Sequence, residues 1–383
     1  MTAPRRPESA MRSSLALALV VALVVALVGC ASGPDKPKPK PLDPLTPQNV
    51  AAPAWSQRIG AVQFPLGIAV AGTSATVGAS DGTVVAIDLE SGRDLWRTNV
   101  GSAIVAGVGS DGRYAAVVTQ NGELVTLEGG QVKWRKAVGT RVASAPLVAG
   151  ERVFVLGVDR TVQAFDALDG HRLWSLQRPG DPLTLKQAGV IAAFKNTLLV
   201  GQGPRLAGVD PVAGSVRWEI PIGTPRGTNE IERLADLIGP PTRIGNVVCA
   251  RAFQAAVGCV DAERGTLAWA RNVGGTDALT GDRELVFGAD ATDRITAWKT
   301  TGGDVAWSSD ALLYRGLSAP AVLGNSVVFG DAEGTLHWLS RDKGEAQLRL
   351  PTDGSAVMAA PVVAGSTLLV ATRAGGIFAF RAR

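Results

Sequence analysis

The sequence predicts an all-β fold, an eight-bladed β-propeller with four-stranded blades. A tryptophan recurs along the chain at spacings from 38 residues (Trp96 to Trp134) to 51 residues (Trp218 to Trp269). A period of about 40 residues is typical of one four-stranded propeller blade. The eight positions are Trp55, Trp96, Trp134, Trp174, Trp218, Trp269, Trp307 and, with the aromatic ring lost, Leu348.

A tight turn precedes the tryptophan in several units. Aspartate is followed four residues later by glycine, and the tryptophan comes four residues after that glycine. An aspartate side chain bonds its own downstream backbone, and glycine accepts positive φ, so this pattern predicts a hairpin. The pairs are Asp88 and Gly92, Asp166 and Gly170, Asp210 and Gly214, and Asp261 and Gly265.

The two ends of the repeat array are out of phase. The last unit contains Gly375 and the letters GIFAF but stops at Arg383, before a glycine and tryptophan of its own. The first unit begins with an orphan Trp55. We therefore expect the amino-terminal strand to complete the last blade, which would remove the two exposed edges of an open array. The amino-terminal tether and the carboxyl terminus should then lie side by side.

Within one unit, residues 145–148, 152–158, 161–166 and 172–176 alternate as four strands do. A helical pattern occurs in residues 229–237, inside the longest unit. Because loops on a rigid framework tolerate insertions and carry function, we expect this segment to be a binding feature.

The first thirty residues predict an exported lipoprotein. Arg5, Arg6 and Arg12 precede an apolar run over residues 15–29, which has the length of a signal segment and is too short for a spanning helix. The letters LVG before Cys30 resemble the lipobox of bacterial lipoproteins, in which the cysteine thiol accepts a diacylglyceryl group. The alternative is an ordinary signal peptide with an incidental cysteine.

These observations divide the chain into three parts. Residues 1–29 are the signal peptide, residues 30–53 are the lipidated cysteine with a Pro- and Lys-rich tether, and residues 54–383 are the propeller. Ser32 stands where an aspartate would resemble an inner-membrane retention signal, so the prediction is outer-membrane anchoring, facing the periplasm.

Charge argues against nucleic acid as a partner. Removing residues 1–29 removes three arginines and Glu8, so the net charge falls from +4 to about +2. A nearly neutral surface does not offer the basic patch that nucleic-acid binding requires.

A quinoprotein dehydrogenase is the main enzymatic alternative, since its repeats share this pattern. Quinoprotein alcohol oxidases are much longer than this chain, bind a metal and often carry two adjacent cysteines. This chain has no such cysteine pair, and neither His171 nor His337 has a cysteine or carboxylate at metal-ligand spacing. We therefore predict no catalytic residue, cofactor or metal, and interpret the tryptophans as packing between blades.

Cys249 and Cys259 remain after Cys30 is used for lipidation. They flank a hairpin and are symmetric about residue 254, so they could face each other across neighbouring strands. An oxidising compartment permits a disulfide, yet small buried thiols fit equally well. The sequence leaves both alternatives open.

The lipobox, the tether, the eight units and two local stretches, residues 229–237 and 330–340, together resemble the BamB family of outer-membrane-protein assembly factors. The resemblance implies a non-catalytic scaffold of the β-barrel assembly machinery. It further implies binding to the periplasmic domains of the barrel-forming subunit BamA, and aid to nascent outer-membrane proteins during folding and insertion. Another periplasmic binding propeller is the remaining alternative.

The resemblance also implies partner-binding residues. The Leu-x-Leu-basic segment of the family is matched by Leu183, Leu185 and Lys186, and an acidic position is matched by Asp236. Lys186 stands where the family has arginine, which keeps the charge but loses the planar fork. Ile238 stands where the family has a second acidic residue. The simpler interpretation is that the two leucines are ordinary strand residues of the fourth unit.

Overall fold

The computed structural model describes residues 37–64, 66–177, 185, 189–225, 227–229 and 233–383. Residues 1–39 and residues 40–383 form two separate units. Of the first unit the described residues are 37–39, which are exposed and have no regular structure. In the second unit, every named secondary-structure element is a β-strand.

The 32 strands form eight antiparallel four-stranded sheets, and the innermost strands of successive sheets contact one another. This is an eight-bladed propeller, and the predicted fold class is confirmed. Blades 1 to 4 comprise β2 Ala69–Ala71, β3 Ser74–Gly78, β4 Thr83–Asp88, β5 Asp94–Asn99; β6 Gly109–Ser110, β7 Tyr114–Val118, β8 Glu123–Glu128, β9 Gln131–Ala137; β10 Leu147–Ala149, β11 Arg152–Leu156, β12 Thr161–Asp166, β13 Arg172–Gln177; β14 Ile191–Phe194, β15 Thr197–Gln202, β16 Arg205–Val209, β17 Val216–Pro221.

The remaining blades follow the same order. Blades 5 to 8 comprise β18 Leu237–Ile244, β19 Val247–Ala252, β20 Ala256–Asp261, β21 Thr266–Arg271; β22 Thr280–Gly281, β23 Leu285–Ala289, β24 Ile295–Lys299, β25 Val305–Ser309; β26 Ala321–Leu323, β27 Ser326–Gly330, β28 Thr335–Ser340, β29 Ala346–Pro351; β30 Val362–Ala364, β31 Thr367–Ala371, β32 Gly376–Ala382, β1 Ala51–Arg58. In blade 3 the four predicted strands are present, with ends shifted by one or two residues.

The amino-terminal strand closes the ring, as predicted. β1 pairs antiparallel with β32, from Ala51 opposite Ala382 to Arg58 opposite Gly376. The amide of Arg383 donates to the carbonyl of Val50 at 3.0 Å, so the two ends of the propeller lie side by side. The first strand begins at Ala51 rather than at residue 54.

The strand order gives the ring two unlike faces. The top face carries the turns between the second and third strands of each blade and the connections to the next blade. The bottom face carries the turns between the first and second and between the third and fourth strands. Loops on one face come from several blades, so residues distant in sequence become neighbours there.

The repeating tryptophans join one blade to the next, which confirms their interpretation as packing residues. Each ring stacks on the glycine of the turn between the third and fourth strands of the following blade, where a Cβ atom would collide with it. Indole nitrogens donate to carbonyls in these turns, for example Trp134 to Ala167 at 2.9 Å and Trp55 to Leu89 at 2.9 Å. The stacked pairs are Trp55 and Gly92, Trp96 and Gly130, Trp134 and Gly170, Trp174 and Gly214, Trp218 and Gly265, Trp269 and Gly303, and Trp307 and Gly344.

Leu348 occupies the eighth position because its junction differs. The chain ends interrupt blade 8 where the turn after β32 would otherwise be, so no glycine turn is present to receive an indole. Leu348 instead belongs to the apolar cluster that contains Ala51, and Val50 packs against that cluster. The missing aromatic ring marks the seam of the propeller.

The helix predicted over residues 229–237 is wrong for its described part. The amide of Arg233 donates to the carbonyl of Asn229 at 3.2 Å, which closes a single turn. Residues 234–236 have no regular structure, and Leu237 begins β18. Leu237 is buried in the apolar cluster of blades 4 and 5, and Leu234 is half-buried.

Candidate functional site

Two connections between blades meet on the top face. The connection from blade 3 to blade 4 contains Leu185, and the connection from blade 4 to blade 5 contains Asp236. Arg160 lies beside them in the turn between β11 and β12, with a φ of 65°. We call Leu185, Asp236 and Arg160 the paired-loop site.

The Asp236 carboxylate holds the two connections together. Its Oδ2 accepts a hydrogen bond from the amide of Leu185 at 2.9 Å, and its Oδ1 lies 3.7 Å from a terminal nitrogen of Arg160. The side chains of Asp236 and Arg160 are only 18% and 17% exposed. A hydrogen bond to a charged group contributes about 1.5–3 kcal/mol. Asp236 therefore links parts of the protein as well as belonging to the top face. We call its contacts with Leu185 and Arg160 the clasp.

Backbone contacts fix the segments on either side of the clasp. The amide of Leu237 donates to the carbonyl of Gly203 at 2.8 Å. Gly189 forms an isolated bridge with Ile238, and its amide donates to the hydroxyl of Ser144 at 2.8 Å. Both connections are thus tied to blades 3, 4 and 5 as well as to each other.

A shallow cleft, open to solvent, lies at this site. Leu156, Leu185 and Ile238 contribute apolar walls, and Arg160 and Asp236 contribute opposite charges. Four glycines line part of the remainder, and a Cβ atom at one of them, Gly201, would meet Leu237 at 3.0 Å. Such a cleft suits an apolar side chain flanked by polar groups on a protein partner.

The structure explains the apolar residue at position 238. Ile238, at the position where the resemblance implies a second acidic residue, is 3% exposed and pairs with Arg251 in blade 5. A carboxylate at a position so buried would lose its hydration, so an apolar residue fits here. Leu183 and Lys186 lie outside the described residues.

Sequence reasoning missed Arg160. It occupies a turn position that resembles many others in the repeat, and no spacing relates it to residue 236. Only the ring arrangement brings blade 3 and the start of blade 5 together.

Cys249 and Cys259 are joined by a disulfide. They stand directly opposite each other on β19 and β20, with Cα atoms 4.0 Å apart, and both are fully buried. The bond therefore links two strands of one blade next to Trp269. Cys30 lies outside the described residues.

The expectation that neither histidine has a carboxylate at metal-ligand spacing is wrong for His171. His171 Nδ1 lies 2.7 Å from Asp169 Oδ1, and His337 Nε2 lies 3.0 Å from Asp331 Oδ2. In the described residues, one set of three potential metal ligands has its ligand atoms within 4.8 Å of one another: His171, Asp169 and Asp166. Both aspartates already accept hydrogen bonds from backbone amides of the same turn. The cluster is therefore explained by the structure of the turn.

Burial changes the pKa of an arginine in blade 5. Arg251 is fully buried, and loss of hydration lowers the pKa of its guanidinium to about 10. Its NH1 donates to the carbonyl of Gly274 at 2.9 Å. Glycines at 275 and 288 leave the volume that its guanidinium fills, since a Cβ atom at either would collide with it. Arg251 is thus part of the core under the top face.

No helix in the described part of the chain is long and apolar enough to cross a membrane.

Comparison with known proteins identifies relatives over nearly the whole chain. The family model described as outer membrane protein assembly factor BamB matches residues 80–309. Proteins with the same description include one from Burkholderia pseudomallei, 35% identical over 92% of this chain and 94% of its own length. Another, from Bordetella pertussis, is 34% identical over 98% of both chains.

Solved structures share the propeller. BamB from Moraxella catarrhalis superimposes with a TM-score of 0.79 at 23% identity, covering 87% of this chain and all of that one. Quinohemoprotein alcohol dehydrogenase from Comamonas testosteroni gives a TM-score of 0.65 at 17% identity, covering 87% of this chain and 76% of its own. At these identities the likeness shows the fold alone.

Proposed function

Because this chain belongs to the BamB family of outer membrane protein assembly factors, we propose that it is a non-catalytic lipoprotein scaffold of the β-barrel assembly machinery. In this proposal the propeller binds the periplasmic domains of the barrel-forming subunit BamA and aids folding and insertion of outer-membrane β-barrel proteins. It uses no cofactor and no metal, and its lipid anchor holds it on the periplasmic side of the outer membrane.

The contact between Asp236 and the amide of Leu185 is the observation that carries the proposal. It joins two connections from different blades into one surface with an apolar cleft and charged groups. Interfaces concentrate their binding energy in a few such central residues, surrounded by contacts that exclude water. Loops that are tied together in this way lose less conformational entropy when a folded partner docks.

Capture of BamA by this protein is expected to weaken at least tenfold, or roughly 1.4 kcal/mol, in Asp236→Arg and in the double variant Leu183→Ala with Leu185→Ala. The arginine would break the clasp and repel Arg160, whereas the alanines would remove the apolar contacts. Affinity capture from detergent-solubilised membranes, followed by titration with the purified periplasmic domains of BamA, measures the effect.

Lys343→Glu is the matched control for these variants. Lys343 is an exposed turn residue on the bottom face of blade 7, so its charge reversal should leave binding unchanged. Full binding by folded Asp236→Arg and leucine variants would reject this interface. The clasp makes a second test: if Asp236 acts by holding Leu185, the costs of Asp236→Ala and Leu185→Ala should be less than additive.

Membrane attachment is expected to be lost in Cys30→Ser, because the thiol that would carry the diacylglyceryl group, with its two acyl chains, is absent. The propeller should still fold, since its strands begin at Ala51. Fractionation of cell envelopes and flotation with lipid vesicles measure the attachment. Ser32→Ala, two residues further on, should stay in the outer membrane. Retention of Cys30→Ser there would refute lipid anchoring through this residue.

A further inference from the structure

Residues 40–50, which we call the strap, lie along the outer edge of blade 7. At the upstream end, the amide of Lys40 donates to the carbonyl of Leu313 at 2.9 Å. Its ammonium group donates to the carbonyl of Asp310 at 3.0 Å. Both carbonyls belong to the connection between blades 6 and 7, which is on the top face. The strap therefore starts at the top face.

The strap then follows β29 to its lower end. Arg349 NH1 donates to the carbonyl of Asp43 at 2.7 Å, and the amide of Gln48 donates to the carbonyl of Gln347 at 2.8 Å. Leu42 packs against the apolar cluster between blades 6 and 7. These contacts cover an edge strand whose polar backbone groups would otherwise face solvent.

A buried charged cluster supports the upstream end. Arg315 NH1 lies 3.4 Å from the carbonyl of Lys40, while its other nitrogens bind Asp331 and Glu333. Although burial opposes its charge, hydrogen bonds from His337, from a backbone amide and from Arg315 hold the pKa of the Asp331 carboxyl below its ordinary value. The guanidinium is therefore held in place before it meets the strap.

The direction of the strap follows from these contacts. β29 runs from the bottom face to the top face, and the strap passes Arg349 before it reaches Gln347, so it descends. At Val50 the chain turns into β1, which runs back to the top. Lys40 therefore lies at the top face, the face that carries the paired-loop site.

The strap also shortens the free tether. Ten residues separate Cys30 from Lys40, and a chain of that length spans at most about 36 Å. Without the strap, 21 residues up to Ala51 would span about 75 Å. A blade strand of five residues is about 17 Å high. With the strap the tether starts at Lys40 on the top face, whereas without it the tether would start at Ala51, at the bottom end of β1. Passing the blade edge to reach the bottom face would use about half of the shorter tether.

We propose that the strap joins the lipid anchor to the top face beside blade 7, so that the anchored protein holds its top face, with the paired-loop site, toward the membrane. The proposal rests on the acylation of Cys30. It assigns the strap residues an orienting role that is separate from ring closure by β1.

Energy transfer from the protein to a lipid surface tests this orientation. The acylated full-length protein is placed in phosphatidylethanolamine and phosphatidylglycerol vesicles that carry a headgroup acceptor. A donor is attached at Ala291→Cys on the top face or at Thr301→Cys on the bottom face. Both are exposed turn residues of blade 6. Transfer should be about twofold greater from Ala291→Cys, because the strand height separates the two donors.

Two changes should abolish the difference. Leu42→Asp with Arg349→Ala releases the strap from blade 7. A flexible insertion of about 12 residues between Pro39 and Lys40, which adds about 40 Å of reach, frees the anchor without altering the propeller. Thr46→Asp, an exposed strap position, is the matched control and should keep the difference.

The outcomes separate this inference from the proposed function. Floating protein with equal transfer from both donors, or with more from Thr301→Cys, would overturn the orientation and leave lipid anchoring intact. A difference that survives both the insertion and the released strap would also overturn it. Protein that does not float with the vesicles would overturn the acylation and this inference together.

Discussion

An internal deletion of residues 51–58 is expected to lower the free energy of unfolding by more than about 5 kcal/mol. Truncating a fully buried aromatic side chain typically costs about 3–5 kcal/mol, and Trp55 packs half-buried against the core. The deletion also leaves β32 without its neighbour and exposes an edge. It further removes the hydrogen bonds from Trp55 and Gln57 to the turn of blade 1. In a thermal melt the midpoint should fall by about 10 °C or more.

The matched deletion is residues 31–39, which leaves the strap and β1 in place and should not change the melt. Deletion of residues 40–50 should give an intermediate loss, because Leu42 and the hydrogen bonds to Leu313 and Gln347 would go. Equal melting temperatures for the deletions of residues 51–58 and of residues 31–39 would contradict closure of the ring by the amino-terminal strand.

Gly265→Ala is expected to destabilise the protein by about 2–5 kcal/mol. Its φ is +65°, which costs about 1–2 kcal/mol for an L-residue with a side chain. The new Cβ atom would also lie 2.6 Å from the ring of Trp218, and such overpacking adds about 1–3 kcal/mol. Urea unfolding followed by tryptophan fluorescence measures the loss.

Gly245→Ala isolates the contribution of the tryptophan. Gly245 lies in the same blade with a φ of +63°, but a Cβ atom there would meet nothing within 4 Å. Its alanine variant should therefore lose only about 1–2 kcal/mol. If the two variants unfold at the same urea concentration, the indole contact does not require glycine at the blade junctions.

Predicting the propeller from sequence was successful because its determinants are local and repeated. The aspartate turn at Asp88, the positive φ at Gly92 and the tryptophan four residues later belong to one hairpin. Their recurrence gives the blade period, and the out-of-phase ends indicate which strand closes the ring. The helix predicted over residues 229–237 is absent from its described part, because Leu237 pairs in a strand and is buried between blades 4 and 5, which a single segment does not reveal.

At the site, the sequence alone identified Leu185 and Asp236 as candidates but not their relation. Their 51-residue separation becomes a hydrogen bond only when blades 4 and 5 stand side by side. Arg160 joins them from blade 3, and Ile238 becomes buried between strands. The bond between Cys249 and Cys259 was likewise left open by the sequence, because it depends on the register of β19 and β20.

The sequence by itself determined the class of fold, the number of blades and the strand that closes them, since each follows from turn chemistry and side-chain periodicity within about 40 residues. Tertiary structure alone decided which loops meet at Asp236 and that Lys40 is bound at the top face beside Leu313. Closing the ring fixes the position of every blade relative to the others. Contacts between distant segments therefore depend on that geometry and leave no periodic signal in the chain.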